Sequence, residues 1–412
     1  MVERRQIRDV SSLGVYAIPG KGEWIMWMEQ IPVEEYAKLA DEFNPDPDAM
    51  EQWASVAKEA GMKYMVLTTR HCDGFCLWPS KSSWQDFTIM NTPAKFDAVG
   101  NFVDAARSQD LRVGFYYSVT DWRFPGYFLP GIYRKSAEQM KKQGYDQARE
   151  LLTEYGDIDI MWWDAGSDDY IALAYEVQGF EIVKRWTNFL GPPERHFAGP
   201  PLWEGNKLNA MVRELQPDII INNRISMQGI EWEGDYYTPE GRVGKFDTQR
   251  DWETCEVLST GWWGWEPDRG IKSLEHVIRN LVMIVTGGGN YLLNVGPRPD
   301  GYIDPRYVER LREVGQWLDK YGESIYGTRA GPHPNGEWGG FTYRENVLYI
   351  HVLDWSKLPE SLPYITKKIK KVSCLTGGQV QYSQSQKGLK ISVTGRPDDV
   401  IDTIIKFELS AD

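Results

Sequence analysis

Residues 158–166 read Ile-Asp-Ile-Met-Trp-Trp-Asp-Ala-Gly, a short apolar run that ends in a carboxylate. Read as a strand, it puts Ile158, Ile160, Trp162 and Asp164 on one face, because successive side chains alternate. Asp164 then stands where a strand opens into a loop. An acid at the C-terminal end of a barrel strand serves catalysis more often than stability. The competing reading makes Asp164 the cap of a following helix, near Ser167-Asp168-Asp169.

Working outward, similar apolar runs recur at 64–69, 112–118, 218–223 and 291–295. Amphipathic helical patterns lie between them, at 50–60, 94–109, 208–215 and 273–285. Alternating strand and helix over about 300 residues predicts a parallel sheet, most simply a (β/α) TIM-like barrel. A doubly wound nucleotide-binding sheet would need a Gly-x-Gly-x-x-Gly turn, and the chain has none. Gly287-Gly288-Gly289 precedes a strand rather than a helix, which suits a tight turn. After Tyr326 the pattern changes. Gly327-Thr328-Arg329-Ala330-Gly331-Pro332 reads as a linker, and short alternating runs follow at 346–353, 369–375, 389–393 and 403–409. The expected organisation is a barrel over 1–326 and a C-terminal all-β sandwich domain over 327–412.

Composition narrows the function. The 412 residues exceed what one core ordinarily needs. A net charge of −13 disfavours a nucleic-acid groove and an anionic membrane surface. No apolar segment is long enough to span a bilayer. No apolar run follows Met1-Val2-Glu3-Arg4-Arg5, so a signal peptide is not expected. Cys72, Cys76, Cys255 and Cys374 show no disulfide-framework spacing, which suits a reducing cytoplasm. Eighteen Trp and twenty-two Tyr are a heavy aromatic load, which suits a core and equally the flat apolar faces, flanked by polar tips, that a sugar site needs.

In a barrel all strand ends meet on one rim. His71 and Cys72 follow the second strand, Tyr116 and Tyr117 lie in the third, and Asp164 closes the fourth. Arg224 follows the fifth, with Glu240 and Glu253 further on. Two carboxylates, an Arg, a His and several aromatics would then line one pocket. Glycoside hydrolysis needs such a carboxylate pair, and the retaining form holds the two about 5–5.5 Å apart. No metal or organic cofactor is expected, because two carboxylates suffice. His71, Cys72, Asp73 and Cys76 form a weak metal candidate, since no second Cys/His pair has ligand spacing.

The chain resembles glycoside hydrolase family 29, the retaining α-L-fucosidases. Gly14 to Trp24 resembles the family's N-terminal block, and Tyr36 to Pro45 continues it. His71-Cys72-Asp73-Gly74-Phe75 resembles its His-His-Asp-Gly-Phe motif. Met161 to Asp164 resembles the nucleophile block, Asn223-Arg224 the substrate-binding Arg, and Gly234 to Glu240 the acid/base block. Gly288 to Pro297 resembles the last barrel strand, so the match runs in order from Leu13 to Tyr326.

The resemblance implies an exo-acting hydrolase of fucosylated glycosides, with Asp164 as nucleophile and Glu240 as acid/base. It implies that His71, Cys72, Tyr117, Trp162 and Arg224 hold the sugar, with Glu23 and Trp24 at the rim. Tyr117 is chosen over Tyr116 because it shares a face with Val113 and Phe115. Two departures stand out. Ser12-Leu13 replaces a His-Trp pair, and Cys72 replaces the second His of the pair. Asp9-Val10-Ser11-Ser12 also reads poorly as an apolar first strand. Two alternatives therefore stay open: a sugar-binding barrel without catalysis, and a retaining glycosidase for another sugar, such as an α-L-galactoside.

Overall fold

The computed structural model describes residues 7–128, 133–164, 203–225 and 234–411, so the capping alternative at Ser167-Asp168-Asp169 lies outside the described residues. The barrel strands are β1 (Ile7–Ser11), β2 (Tyr64–Arg70), β3 (Arg112–Ser118) and β4 (Ile160–Asp164). They continue with β5 (Ile220–Ile221), β6 (Tyr236–Tyr237), β7 (Asp251–Val257) and β8 (Asn290–Val295). Their order is β5-β4-β3-β2-β1-β8-β7-β6, and every pairing is parallel. A bridge between Asn222 and Tyr236 joins the two ends and closes the ring.

All seven residues of β2 are buried, as expected of a strand covered on both faces. Tyr64, Val66, Ile160, Trp162, Cys255 and Leu292 fill the barrel interior. Their sequence neighbours Met65, Leu67, Met161, Trp163 and Leu293 belong to the core under the helices, as does Val113 of β3. The interior is narrow: a Cβ on Gly114 would lie 2.9 Å from Val66 Cγ2 and 3.1 Å from Ile160 Cβ.

The long helices are Ala49–Glu59, Ala98–Ser108, Arg134–Thr153, Gly205–Leu215, Leu274–Gly287 and Pro305–Tyr321. Side chains of Asp97, Ser273 and Asp304 cap three of them by accepting backbone N–H groups. Arg134–Thr153 buries Gln143, Gly144 and Gln147 beside its apolar residues, which weakens its helical periodicity in sequence. β7 buries Glu253 and Glu256, so it does not read as an apolar strand. β1 is a strand despite its composition. It forms backbone ladders with both β2 and β8.

The C-terminal part adds β9 (Arg329–Ala330), β10 (Gly339–Arg344), β11 (Val347–Val352), β12 (Ile369–Cys374) and β15 (Thr403–Leu409). They form an antiparallel sheet in the order β12-β15-β11-β10-β9. The hairpin of β13 (Gln379–Ser385) and β14 (Gly388–Thr394) shares its apolar core through Leu389, Val380 and Ile391. Tyr349, Leu353 and Ile404 belong instead to the barrel's helix-side core, so the two parts are packed together.

A buried polar chain crosses that junction. Thr342 Oγ1 donates to the Ser324 carbonyl at 2.8 Å. Its only hydrogen is thereby used, so His351 Nε2–H must donate to Thr342 Oγ1, at 3.1 Å. His351 Nδ1 and Asp402 Oδ2 lie 2.6 Å apart and share one proton. Both side chains are fully buried. Removing one member of a buried pair leaves the other unpaired, which costs about 3–5 kcal/mol. Asp402→Ala is expected to lower stability by that amount, measured as a shift in urea denaturation. Glu360→Ala, which breaks the exposed pair with Lys390, is expected to leave the denaturation midpoint nearly unchanged. Equal shifts would show that the buried chain adds nothing.

Candidate active site

The C-terminal ends of the barrel strands surround one cavity, with about 620 Å³ of empty space including its open mouth. Val66, Cys255 and Leu292 line it together with Ser12 and Thr68. Asp164, Arg224 and Glu240 also line it.

Asp164 ends β4, and Asn222 fixes that end. The Asn222 amide accepts from Trp163 N and donates to Trp163 O, both at 2.9 Å, just before Asp164. The Asp164 carboxylate has two partners. Tyr116 OH donates to Oδ2 at 2.7 Å, and Arg224 Nη1 donates to Oδ1 at 3.1 Å. Arg224 Nη2 also pairs with Glu240 Oε2 at 2.8 Å. One guanidinium thus holds both carboxylates. Thr238 accepts from Arg224 Nε at 2.7 Å, and Trp162 lies beneath the guanidinium, 4.5 Å from ring to Cζ. The Glu240 backbone is strapped to β7, with Cys255 N donating to Pro239 O and Gly241 N to Cys255 O. Its side chain is 44% exposed, so it can turn while its backbone stays fixed.

Trp162, Tyr116 and His71 form an aromatic wall. Trp162 stacks on Tyr116 at 5.4 Å, and Tyr116 stacks on His71 at 6.0 Å. Burial holds the His71 imidazole at a pKa of about 4; Asp164 opposes that shift and Arg70 adds to it. The ring is therefore neutral at physiological pH. Glu23 stands on the rim beside Trp24. Its Oε2 accepts from Gly264 N at 2.8 Å. Burial pushes its carboxyl up to about 7, against backbone hydrogen bonds that work to lower it. Tyr16 OH, Glu23 Oε1 and His71 Nδ1 have no hydrogen-bond partner among the described residues. All three residues line the cavity, and these three atoms lie beneath its surface.

Two expected sugar contacts are corrected. Tyr117 does not line the cavity. It shares a face with Val113 and Phe115, and that is the face packed under the helices. Its hydroxyl donates to Gln147 and accepts from Arg70. Tyr116 takes the inward place. Cys72 also turns away, because the register shifts between Thr68 and Arg70. Its thiol meets Ser118 Oγ and Thr120 Oγ1, each at 3.1 Å. Ser12, the other departure, does line the cavity, donating to Asn294 Oδ1 at 2.7 Å.

Behind His71 lies a buried network that supports the loops. Asp121 pairs with Arg70 at 3.1 Å and with Arg123 at 2.6 Å. Burial works to raise the Asp121 pKa, but the two guanidiniums outweigh it and hold it near 2.

Sequence reading missed Tyr16, Thr68 and Trp263 as cavity residues. Trp263 lies in Gly261-Trp262-Trp263-Gly264-Trp265, a cluster whose glycines and aromatics were a legible signal. Gly22 fits against it, since a Cβ there would lie 2.5 Å from Trp262 Cβ. Among the described residues no group of three or more His, Cys, Asp or Glu side chains is arranged to hold a metal ion.

Comparison with known proteins agrees with this architecture. The family model described as alpha-L-fucosidase matches residues 12–323. Human tissue alpha-L-fucosidase is 28% identical, covering 94% of this chain and 83% of that protein. Alpha-L-fucosidase isoenzyme 1 from Paenibacillus thiaminolyticus superposes with a TM-score of 0.80 at 32% identity, covering 98% of this chain and 97% of that one. A family 29 alpha-L-fucosidase from Bacteroides thetaiotaomicron, trapped as a covalent intermediate with 2-fluoro-fucosyl fluoride, gives 0.82 at 27% identity, covering 98% and 94%. With the match spanning β2 to β8 and every residue that lines the cavity, this chain belongs to the alpha-L-fucosidase family, glycoside hydrolase family 29.

Proposed function

We propose that the protein is an exo-acting retaining α-L-fucosidase that removes terminal α-L-fucose from glycosides or oligosaccharides. The observation that carries this reading is Arg224 joining Asp164 and Glu240 at the mouth of one cavity. The floor of that cavity is closed by Val66, Cys255 and Leu292, which suits the end of a glycan rather than its middle. Asp164 attacks the anomeric carbon as the bond to the leaving oxygen breaks, and Glu240 delivers a proton to that oxygen. Water then attacks the glycosyl-enzyme, Glu240 takes its proton, and the Asp164 oxygen leaves. Tyr116 and Arg224 stabilise Asp164 as the departing carboxylate in this second step. The Arg224–Glu240 contact must open before Glu240 can carry the proton, and its exposed side chain allows that. We also propose a reducing cytoplasm as its compartment, in keeping with four free cysteines.

Asp164→Gly is expected to lower turnover of an aryl α-L-fucoside by roughly three orders of magnitude or more. Added azide should restore part of it by filling the gap left by the carboxylate. Near-wild-type turnover would overturn the assignment. Aryl α-L-galactosides, run beside the fucoside, test the choice of sugar.

The raised Glu23 pKa sets a pH dependence. Its neutral form suits the fold, so the associated stability is present below 4.5 and is lost as pH rises through about 7. Glu23→Gln keeps a carbonyl for Gly264 N and removes the charge. It should match the wild type at about pH 4 and exceed it at about pH 8, by up to about 3 kcal/mol in urea denaturation. A difference independent of pH would show that Glu23 does not titrate in this range.

A further inference from the structure

Glu253 is a carboxylate that the reaction above leaves unused. It lies on β7 two residues before Cys255, so both side chains point into the barrel. Its side chain is fully buried beneath the cavity and does not line it. Tyr64 OH donates to Oε2, and the Trp162 indole N–H donates to Oε1 at 3.3 Å. With both oxygens engaged below the floor, Glu253 has no path to a leaving oxygen.

What it does reach is Trp162. A buried indole N–H needs a partner, and the ring torsion of Trp is otherwise soft. Arg224 rests over this ring at 4.5 Å, and Tyr116 stacks with it at 5.4 Å and 20°. Those two groups are the hydrogen-bond donors to Asp164.

We propose that Glu253 is a positioning residue for the glycosidic reaction: by anchoring the Trp162 indole it registers Arg224 and Tyr116, and through them Asp164. The proposal rests on the retaining α-L-fucosidase reading. Gln at this position accepts the indole N–H but loses the charge and the paired acceptance from Tyr64, so the ring is held less firmly. Displacements of about 1 Å in such a constellation cost roughly 100-fold in rate.

The test is a double-mutant cycle on an aryl α-L-fucoside. Glu253→Gln should lower kcat by roughly 10- to 100-fold, with KM within about threefold and both limbs of the pH–rate profile retained. Azide should not rescue it. In a Trp162→Phe background, with no indole N–H to anchor, the same change should cost less than about twofold. A kcat within twofold of wild type overturns the proposal, as does an undiminished loss in the Trp162→Phe background. Loss of a pH limb, or rescue by azide, also overturns it by making Glu253 catalytic. If Glu253→Gln does not fold, Tyr64→Phe, which removes one hydrogen bond to the Glu253 carboxylate, replaces it in the cycle. A loss of kcat that vanishes with Trp162→Phe then supports the proposal, and an unchanged kcat overturns it. A wild type inert on every aryl α-L-glycoside overturns the fucosidase reading as well, whereas an active wild type with a silent Glu253→Gln overturns this inference alone.

Discussion

A buried guanidinium organises the cavity. Arg224 is 8% exposed, and a charge so withdrawn from water is tolerable only with close partners. Asp164 and Glu240 neutralise it, Thr238 accepts from it twice, and Trp162 offers its π face. Each of these positions is fixed by the barrel: Asp164 and Trp162 by β4, Glu240 by its strap to β7. The requirement runs both ways, since two carboxylates close together repel unless a cation stands between them. The chemistry therefore depends on strand ends meeting at a common rim, which a closed parallel barrel provides.

Much of this was legible in the chain, for reasons that particular residues show. The run at 158–164 alternates cleanly, so the inward placement of Asp164 and Trp162 followed from strand periodicity. β2 and β8 were legible as apolar runs bounded by turn residues. Tyr117 was misplaced because periodicity gives two faces without saying which is inside. In β3 the apolar partners Val113 and Phe115 mark the helix side, and the inward face is Gly114, Tyr116 and Ser118. Cys72 was placed by its match to the family motif rather than by alternation, and its thiol turns instead to Ser118 and Thr120, outside the cavity lining. β7 was not seen because it buries an acid on each face, Glu253 inside the barrel and Glu256 against the helix Leu274–Gly287, and hydrophobicity does not record such a strand.

Two kinds of packing meet across β2 and β3. Inside the barrel, aromatic rings and small side chains leave room for a ligand. Outside, where a helix would ordinarily pack on apolar residues, Arg70, Asp121, Arg123, Gln143 and Gln147 form a hydrogen-bonded polar layer in which Arg70 Nε alone of these side-chain atoms is left without a partner among the described residues. Such layers are costly when partly bonded and directional when fully bonded. Here the layer orients the two loops that carry His71 and Trp122. The shape of the cavity wall thus depends on hydrogen-bond geometry as well as on apolar contact.

The ring is unevenly sewn. β2 and β3 pair along nearly their whole length, whereas β5 and β6 contribute two residues each and meet through one bridge at Asn222 and Tyr236. Local opening of a fold follows its shortest ladders. Within the ring the seam is therefore the join held by the fewest backbone pairs, and Arg224 and Glu240 flank it on either side. Asp164 thus stands on a strand with a longer ladder, whereas Arg224, which grips it, and Glu240, which Arg224 also holds, stand where the ring is joined by the fewest backbone pairs.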